Sequence, residues 1–449
     1  MEKLAWADQT AVHPLGLVAL IVLAIATLAL PRRYAALPMI LLACLISARQ
    51  RIVLGGMDFT FLRILVLVGW VRVFGRGELR KLKSQRLDAL LGASVLAMGL
   101  LATLRSGTVS AAVFYLGQSF DAFGMYYLFR VWIRSWEDIR AIVTGFVLAS
   151  IPVTLAFLVE SSTARNPFAL FGGVPEITLE RDGRLRCQGP FSHPILAGAF
   201  WASLFPLFGA RWFAGGKGRV QGLVGMITGF TIVMLSASST PLAGVFAGIF
   251  AGFLFRFRAY MRQMRWALVG TLCMLQLVMD KPIYHLISRI DLVGGSTGWH
   301  RYHLIDQAVR HFSEWAIAGT PSTDHWGHLT GDVANQYVLV AVRGGLLSLI
   351  LFIAVLVVAY QGVGRMLARS GGDRRRQIWS WALGASLFAH TMMMFAVSYF
   401  GQMVLAWYLP LAMIGSLQSA VPVRRKRRAR DPEAPSRSAE LRSPAPASG

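Results

Sequence analysis

Long apolar runs alternate with short polar connections along almost the whole chain. The runs fall at about residues 14–30, 35–48, 59–74, 87–104, 109–131, 140–160, 190–210, 219–236, 241–256, 265–280, 335–360, 377–397 and 402–419. Most approach the roughly 20 residues that a helix needs to cross the hydrocarbon core of a bilayer. In lipid, backbone N–H and C=O groups must bond within their own segment, so each run is expected to be a helix. The pattern predicts an all-α polytopic membrane protein with about 12–14 transmembrane helices in one membrane domain, residues 1–420.

Two connections are much longer than the rest, at about 161–189 and 281–334. The second is expected to be partly helical. In "GWHRYHLIDQAVRHFSEW", a 100° step places His300, His303, Gln307, Arg310, His311 and Glu314 on one polar stripe. Tyr302, Ile305, Val309 and Phe312 fall opposite, with Arg301 at the edge of that apolar face, in the first turn.

Charge gives these loops a side. Only 15% of residues are charged, against about 25% in soluble domains. The formal net charge is nevertheless +23, and Arg far outnumbers Lys. The basic residues gather in alternate connections: "PRRY", "GRGELRKLKSQR", "RVWIRSWEDIR", "RWFAGGKGR", "RFRAYMRQMR", "RMLARSGGDRRRQ" and "VRRKRRAR". The positive-inside rule assigns all seven to the cytoplasm and both long loops to the outer side. Residues 421–449 read as a basic, disordered cytoplasmic tail that touches anionic lipid. Basic residues spread over many loops do not suit a nucleic-acid partner. The N-terminus lacks the features of a cleaved signal peptide, so the first span is expected to remain.

The outer loops carry unusual chemistry. Six of the nine histidines lie in the second one: His285, His300, His303, His311, His325 and His328. Arg165, Arg181, Arg184, Arg186, Arg289, Arg301 and Arg310 also fall outside, and Arg63, Arg105 and Arg343 sit at outer ends of spans. Such a set suits a cationic vestibule for an anionic headgroup, since Arg matches phosphate oxygens well. Snorkelling arginines in an Arg-rich composition are the alternative. The pairs His300/His303 and His325/His328 have zinc-like spacing, but no cysteine assists them, and no metal or other cofactor is expected.

In "HLTGDVANQYVLVAVR", a polar mouth leads into a span, and Arg343 lies eight residues beyond Asn335. That is roughly 12 Å along a helix axis, a depth suited to a headgroup phosphate. Asp332, His328 and His325 are the candidates for a base at the mouth. The competing roles are a helix cap for Asp332 and a pairing of Arg343 with Asp121.

Three stretches together resemble the bacterial O-antigen ligase and polymerase superfamily of integral membrane glycosyltransferases. They are "RCQGPFSHPILAGAFWASLFPL", "SASSTPLAGVFAGI", and "GWHRYHLIDQAV" followed by "AGTP" and "GDVANQYVLVAVRGGLLSL". The likeness covers about residues 185–360. It implies a donor glycan on undecaprenyl pyrophosphate at the outer face of a bacterial inner membrane, and a glycan or lipid acceptor whose hydroxyl attacks the anomeric carbon. It also implies a metal-independent polymerase or ligase. Arg186, Arg301, Arg343 and Arg289 are the expected pyrophosphate ligands, and Asp332, His328 and His325 the expected catalytic groups. His193, His300, Asn335 and Ser238 are further candidates. Two positions depart from the pattern: Ala334 precedes Asn335 where the family usually has His, and the short turn reads Ser238-Ser239-Thr240 where an Arg often follows Ser. A transporter or an envelope-assembly scaffold are the competing classes. The first calls for homologous half-repeats, of which none is evident; the second calls for outer loops poor in Arg and His.

Overall fold

The computed structural model describes residues 9–47, 49–216, 218–289 and 298–420. Helix dominates, and every one of the apolar runs contains an α-helix. In chain order these are α1 (Pro14–Ala29), α2 (Leu37–Leu45), α3 (Phe61–Gly75), α4 (Arg86–Ser106), α5 (Val109–Trp132), α6 (Trp136–Thr163), α7 (Pro194–Phe213), α8 (Arg219–Leu235), α9 (Ser239–Phe253) and α10 (Met261–Val278). Then come α11 (Gly298–Arg310) and the single turn α12 (Phe312–Trp315), both from the second long connection, and α13 (Gln336–Arg369), α14 (Arg374–Met393) and α15 (Met403–Ala420). Two antiparallel hairpins are the only sheets among the described residues: β1 (Arg51–Leu54) with β2 (Met57–Thr60), and β3 (Leu179–Arg181) with β4 (Arg184–Arg186).

Five helical segments are long and apolar enough to cross a membrane: α4, α6, α7, α13 and the stretch Ser239–Val278 that contains α9 and α10. Three apolar helices, α1, α8 and α15, are shorter. The protein is therefore all-α, with several helices able to cross a membrane. The run at 35–48 is not a full span. Its helix α2 has nine residues, roughly 13 Å of axis, and lies against α1, α3 and α6. The tail at 421–449 lies outside the described residues.

Helix boundaries follow local chemistry. Ser135 and Asp138 form a capping box at the start of α6, as do Gln85 and Asp88 at α4. His13 and His193 each cap a helix through Nδ1, followed by proline at the first helical position. Several charged groups at one end of the bundle are paired. Arg130 is bonded to Asp88 at 2.8 Å, with the Tyr126 hydroxyl donating to the same carboxylate at 2.6 Å. Arg72 meets Glu78, which also accepts from the Trp132 indole. Buried pairs of this kind add little net stability but are costly to break.

At the centre, α7 packs on α8, α9 and α14 and buries Phe200, Trp201 and Phe208. Gly198 lets it approach the α8–α9 turn: a Cβ there would stand 2.5 Å from Ser236 Oγ and 2.6 Å from Pro241 Cγ. This close approach holds α9's first turn against the first turns of α7.

The long helix α13, which packs along α4, is broken at Gly344–Gly345, where Gly345 has φ 69°. Released backbone groups find other partners. The Val342 carbonyl accepts from Thr320 N–H at 2.7 Å and from Arg105 at 3.0 Å, and Leu346 N–H donates to the Ala316 carbonyl at 2.8 Å. The second long connection is thereby stitched into the break.

Candidate functional site

The site begins with the segment 186–193, which is held from three sides. Glu160, fully buried, accepts N–H bonds from Gln188 and Gly189 at 3.0 and 2.9 Å and the Thr178 hydroxyl at 3.2 Å. Asn166 donates to the Gly189 carbonyl, and Gln402 to that of Pro190, each at 2.8 Å. A segment so fixed presents Arg186 and His193 in set directions.

Arg186 is 7% exposed and donates to Ser238 Oγ at 2.6 Å. Its Nε is buried and has no hydrogen-bond partner. Burial, then the neighbouring Arg181, lower its pKa, while Asp182 opposes them. Arg301, from the first turn of α11, is 9% exposed and donates to Thr240 Oγ1 at 2.9 Å. Ser238 is the N-cap position of α9 and Thr240 lies in its first turn, so two buried guanidiniums meet the positive end of one helix. Two cations at a helix N-terminus are mutually unfavourable, and an anion bound there offsets both charges.

Asp332 is exposed, at the mouth of a large cleft that His193 also lines. His193 and His300 both sense its carboxylate. Burial and the Arg186 charge hold His193 below its ordinary pKa, with Asp332 opposing. Burial lowers His300 as well; Asp332 opposes through its charge and its backbone carbonyl, while His303 and Arg301 reinforce the lowering. The His300 Nδ1 is buried and unpartnered. His193 Nδ1 accepts from Ile195 N–H at 3.2 Å, which leaves Nε2 to carry the proton of the neutral ring. The Asp332 charge thus favours the protonated form of both histidines, and the Arg186 charge opposes it at His193.

The cleft has a volume of about 1860 Å³. Its walls come from β1–β2 and from parts of α3, α4, α5, α13 and α15, and residues 320–324 and 331–333 lie at its rim. Arg49, Arg51, Arg63, Arg105 and Arg343 line it, but Arg186 and Arg301 do not.

Other candidates are placed differently. His325 is exposed and pairs with Glu314 at 2.8 Å, a carboxylate that the Trp326 indole also bonds at 2.9 Å. His328 is exposed, and neither histidine lines the cleft. Asn335 is a structural cap: its Oδ1 accepts from Tyr337 and Val338 N–H and its Nδ2 donates to the Phe395 carbonyl. The capping role considered for Asp332 therefore belongs to Asn335. Asp121 pairs with Arg63, at 2.6 and 2.9 Å, and not with Arg343. Arg289 ends a 3-10 turn, but its side chain lies outside the described residues.

The face assignment of α11 is also corrected. The helix buries Arg301, Leu304 and Ala308, whereas Val309 and Phe312 are 55% and 47% exposed. Val309 and Phe312 belong to the apolar stripe expected to face inward. Contacts with α13 and the neighbouring 283–289 turn, rather than the helix's own amphipathicity, decide which side is covered. Arg301 is nevertheless buried, as its place at the edge of the apolar face implied. Sequence reasoning did not find Glu160, Asn166 or Gln402, because polar residues at the ends of apolar runs look like span boundaries.

No protein-family model matches the chain, and no curated protein matches it at a significant level.

Proposed function

We propose that this protein is a multi-pass glycosyltransferase of a bacterial inner membrane. It moves a glycan from undecaprenyl pyrophosphate to an acceptor hydroxyl at the outer face, as an O-antigen or exopolysaccharide polymerase or ligase. The observation that carries this reading is Arg186. It is nearly buried, donates to a hydroxyl at a helix N-terminus, and keeps an unpartnered Nε, and no salt bridge among the described residues engages it. A buried guanidinium without a carboxylate is costly unless an anion joins it. Arg301, which meets the first turn of the same helix α9, adds a second fork of donors.

In this scheme the pyrophosphate of the donor rests against Arg186, Arg301 and the N-terminus of α9. The acceptor hydroxyl arrives at the mouth beside Asp332. Its oxygen forms the new bond to the anomeric carbon, the bond from that carbon to the pyrophosphate oxygen breaks, and undecaprenyl pyrophosphate leaves as the anion. The hydroxyl proton passes to the Asp332 carboxylate, and the neutral imidazoles of His193 and His300 help to orient it. This replaces His325 and His328, which are engaged elsewhere or exposed. The arginines act mainly on the leaving group, where negative charge develops. The polar mouth and both long loops then face the outer side, and the basic connections the cytoplasm.

The test is reconstitution of the purified chain with lipid-linked repeat units. A ladder of lengthening glycans indicates polymerisation, and transfer only to a supplied acceptor indicates ligation. Unchanged donor in both formats refutes the proposal.

A further inference from the structure

The cleft holds a cation that the clamp at α9 does not use. Among the described residues, the Arg343 guanidinium makes no hydrogen bond or ion pair. The other arginines lining the cleft are committed. Arg51 pairs with Asp58 at 2.8 Å and Arg63 with Asp121 at 2.6 Å, Arg105 bonds the Val342 and Arg343 carbonyls, and Arg49 has an interaction of its own. The remaining carboxylates of the lining, Asp324 and Asp332, are exposed at the rim.

Arg343 sits on the last residue before the break in α13, and the positive end of the following helical segment starts there. Two buried polar atoms at the break also lack partners: Ser348 Oγ and Arg105 Nε. Ser348 Oγ stands 2.3 Å from where a Cβ on Gly344 would be, so its hydroxyl lies at the break itself. Ser348 does not line the cleft, so the group there that can meet an anion is Arg343, which lines it beside the positive terminus of the following segment. The walls around it are apolar and aromatic, including Leu62, Met98, Phe352 and Trp407. Phe114 and Leu116 are 51% and 69% exposed at its edge, where α5 is open to the surroundings.

We infer that this cleft is a second anion site, separate from the clamp at α9, which binds the phosphate of a lipid through Arg343 while the lipid's tails lie along the apolar walls. Free phosphate shares the headgroup chemistry. The apolar lining favours the lipid, because it buries chain methylenes that a free anion lacks.

The experiment is native mass spectrometry of the full chain in a neutral maltoside detergent, titrated with phosphatidylglycerol, phosphatidylcholine or inorganic pyrophosphate. Phosphatidylglycerol is expected to bind in preference to phosphatidylcholine. Arg343→Ala should weaken that binding about 10-fold or more, the factor set by one lost charge-assisted hydrogen bond. Arg343→Lys should keep part of it, and Arg310→Ala, at an exposed pair on α11, should leave it unchanged. If the Ala variant is not monodisperse, Arg343→Gln, which keeps donors but no charge, replaces it. Equal affinity for the two lipids overturns the inference, as does an unaltered preference without the Arg343 charge. So does pyrophosphate binding as tightly as the lipid with the same dependence on Arg343. No glycan donor is present, so the result stands or falls independently of glycosyl transfer.

Discussion

Replacing Arg186 with Ala removes a guanidinium that is 7% exposed and donates at 2.6 Å to Ser238. If it also holds a pyrophosphate oxygen, at least one charge-assisted hydrogen bond in a partly desolvated site is lost. Such a bond contributes about 1.5–3 kcal/mol, which corresponds to about 10- to 100-fold in turnover. Arg186→Lys should recover only part of this, because an ammonium keeps the charge but not the planar fork. Arg310 supplies the control. It is 68% exposed and pairs with Asp306 in an i,i+4 arrangement, a contact with a typical contribution of about 0.3–0.5 kcal/mol. Arg310→Ala should therefore leave turnover within about 2-fold. The assay is conversion of lipid-linked repeat units in proteoliposomes, with folded fraction checked by size-exclusion chromatography. Equal activity of Arg186→Ala and Arg310→Ala would refute the clamp and leave Arg186 as a structural bond to α9.

Asp332→Asn should cut turnover far more than His325→Ala, since His325 is spent on Glu314 at the surface; the reverse order would return the base to the loop histidines. His193 and His300 have lowered pKa values, so their neutral forms favour the folded site. As pH falls from about 6.5, where free histidine titrates, the unfolded chain takes up protons before the site does, and stability should decline; a melting temperature flat from pH 7.5 to 5 would contradict this. Gly345→Ala places a Cβ 2.4 Å from the Ile317 carbonyl at φ 69° and ψ −174°, and should cost more than the roughly 1–3 kcal/mol of backbone strain in that glycine-only region alone, read as a lower thermal midpoint in detergent. Reporter fusions after Arg80, Arg262 and Arg375 should report cytoplasm, and fusions after Gly173 and Gly319 the outer side; a cytoplasmic signal at Gly319 would separate donor from site.

Helix positions were legible because burial in apolar surroundings and internal backbone bonding leave long apolar runs one conformation. The breaks were less so. Nothing in the run at 35–48 shows that α2 stops after nine residues, because Ile46 and Ser47 are as compatible with a continuing helix as with a turn. The Gly344–Gly345 pair is a visible signal, yet the break persists because Thr320, Arg105 and Ala316 satisfy the groups it releases, and those partners come from distant parts of the chain. The buried face of α11 was misread for a related reason. A 100° projection ranks residues by their own polarity, whereas Val309 is left exposed because α13 and the 283–289 turn cover the side that carries Leu304 and Ala308.

The contact of Arg301 with Thr240 shows where sequence patterning stops. Arg186 meets Ser238 across 52 residues and Arg301 meets Thr240 across 61, so this pair of contacts exists only after α7, α9 and the second long connection have assembled. Each residue alone reads as an Arg near a span end or a Ser in a turn. What joins them is the close packing that Gly198 permits between α7 and the α8–α9 turn, together with the Glu160 bonds that set the 186–193 segment. Glu160→Gln should therefore act at a distance. It keeps one acceptor oxygen for the N–H groups of Gln188 and Gly189 but loses the charge, so the segment should loosen and the Arg186 contact weaken. The protein should still insert and fold, with turnover reduced in step with Arg186→Ala. Combining the two substitutions should add little to either alone, since both break the same clamp. Additive losses would mean that Glu160 supports the fold and has no share in positioning Arg186.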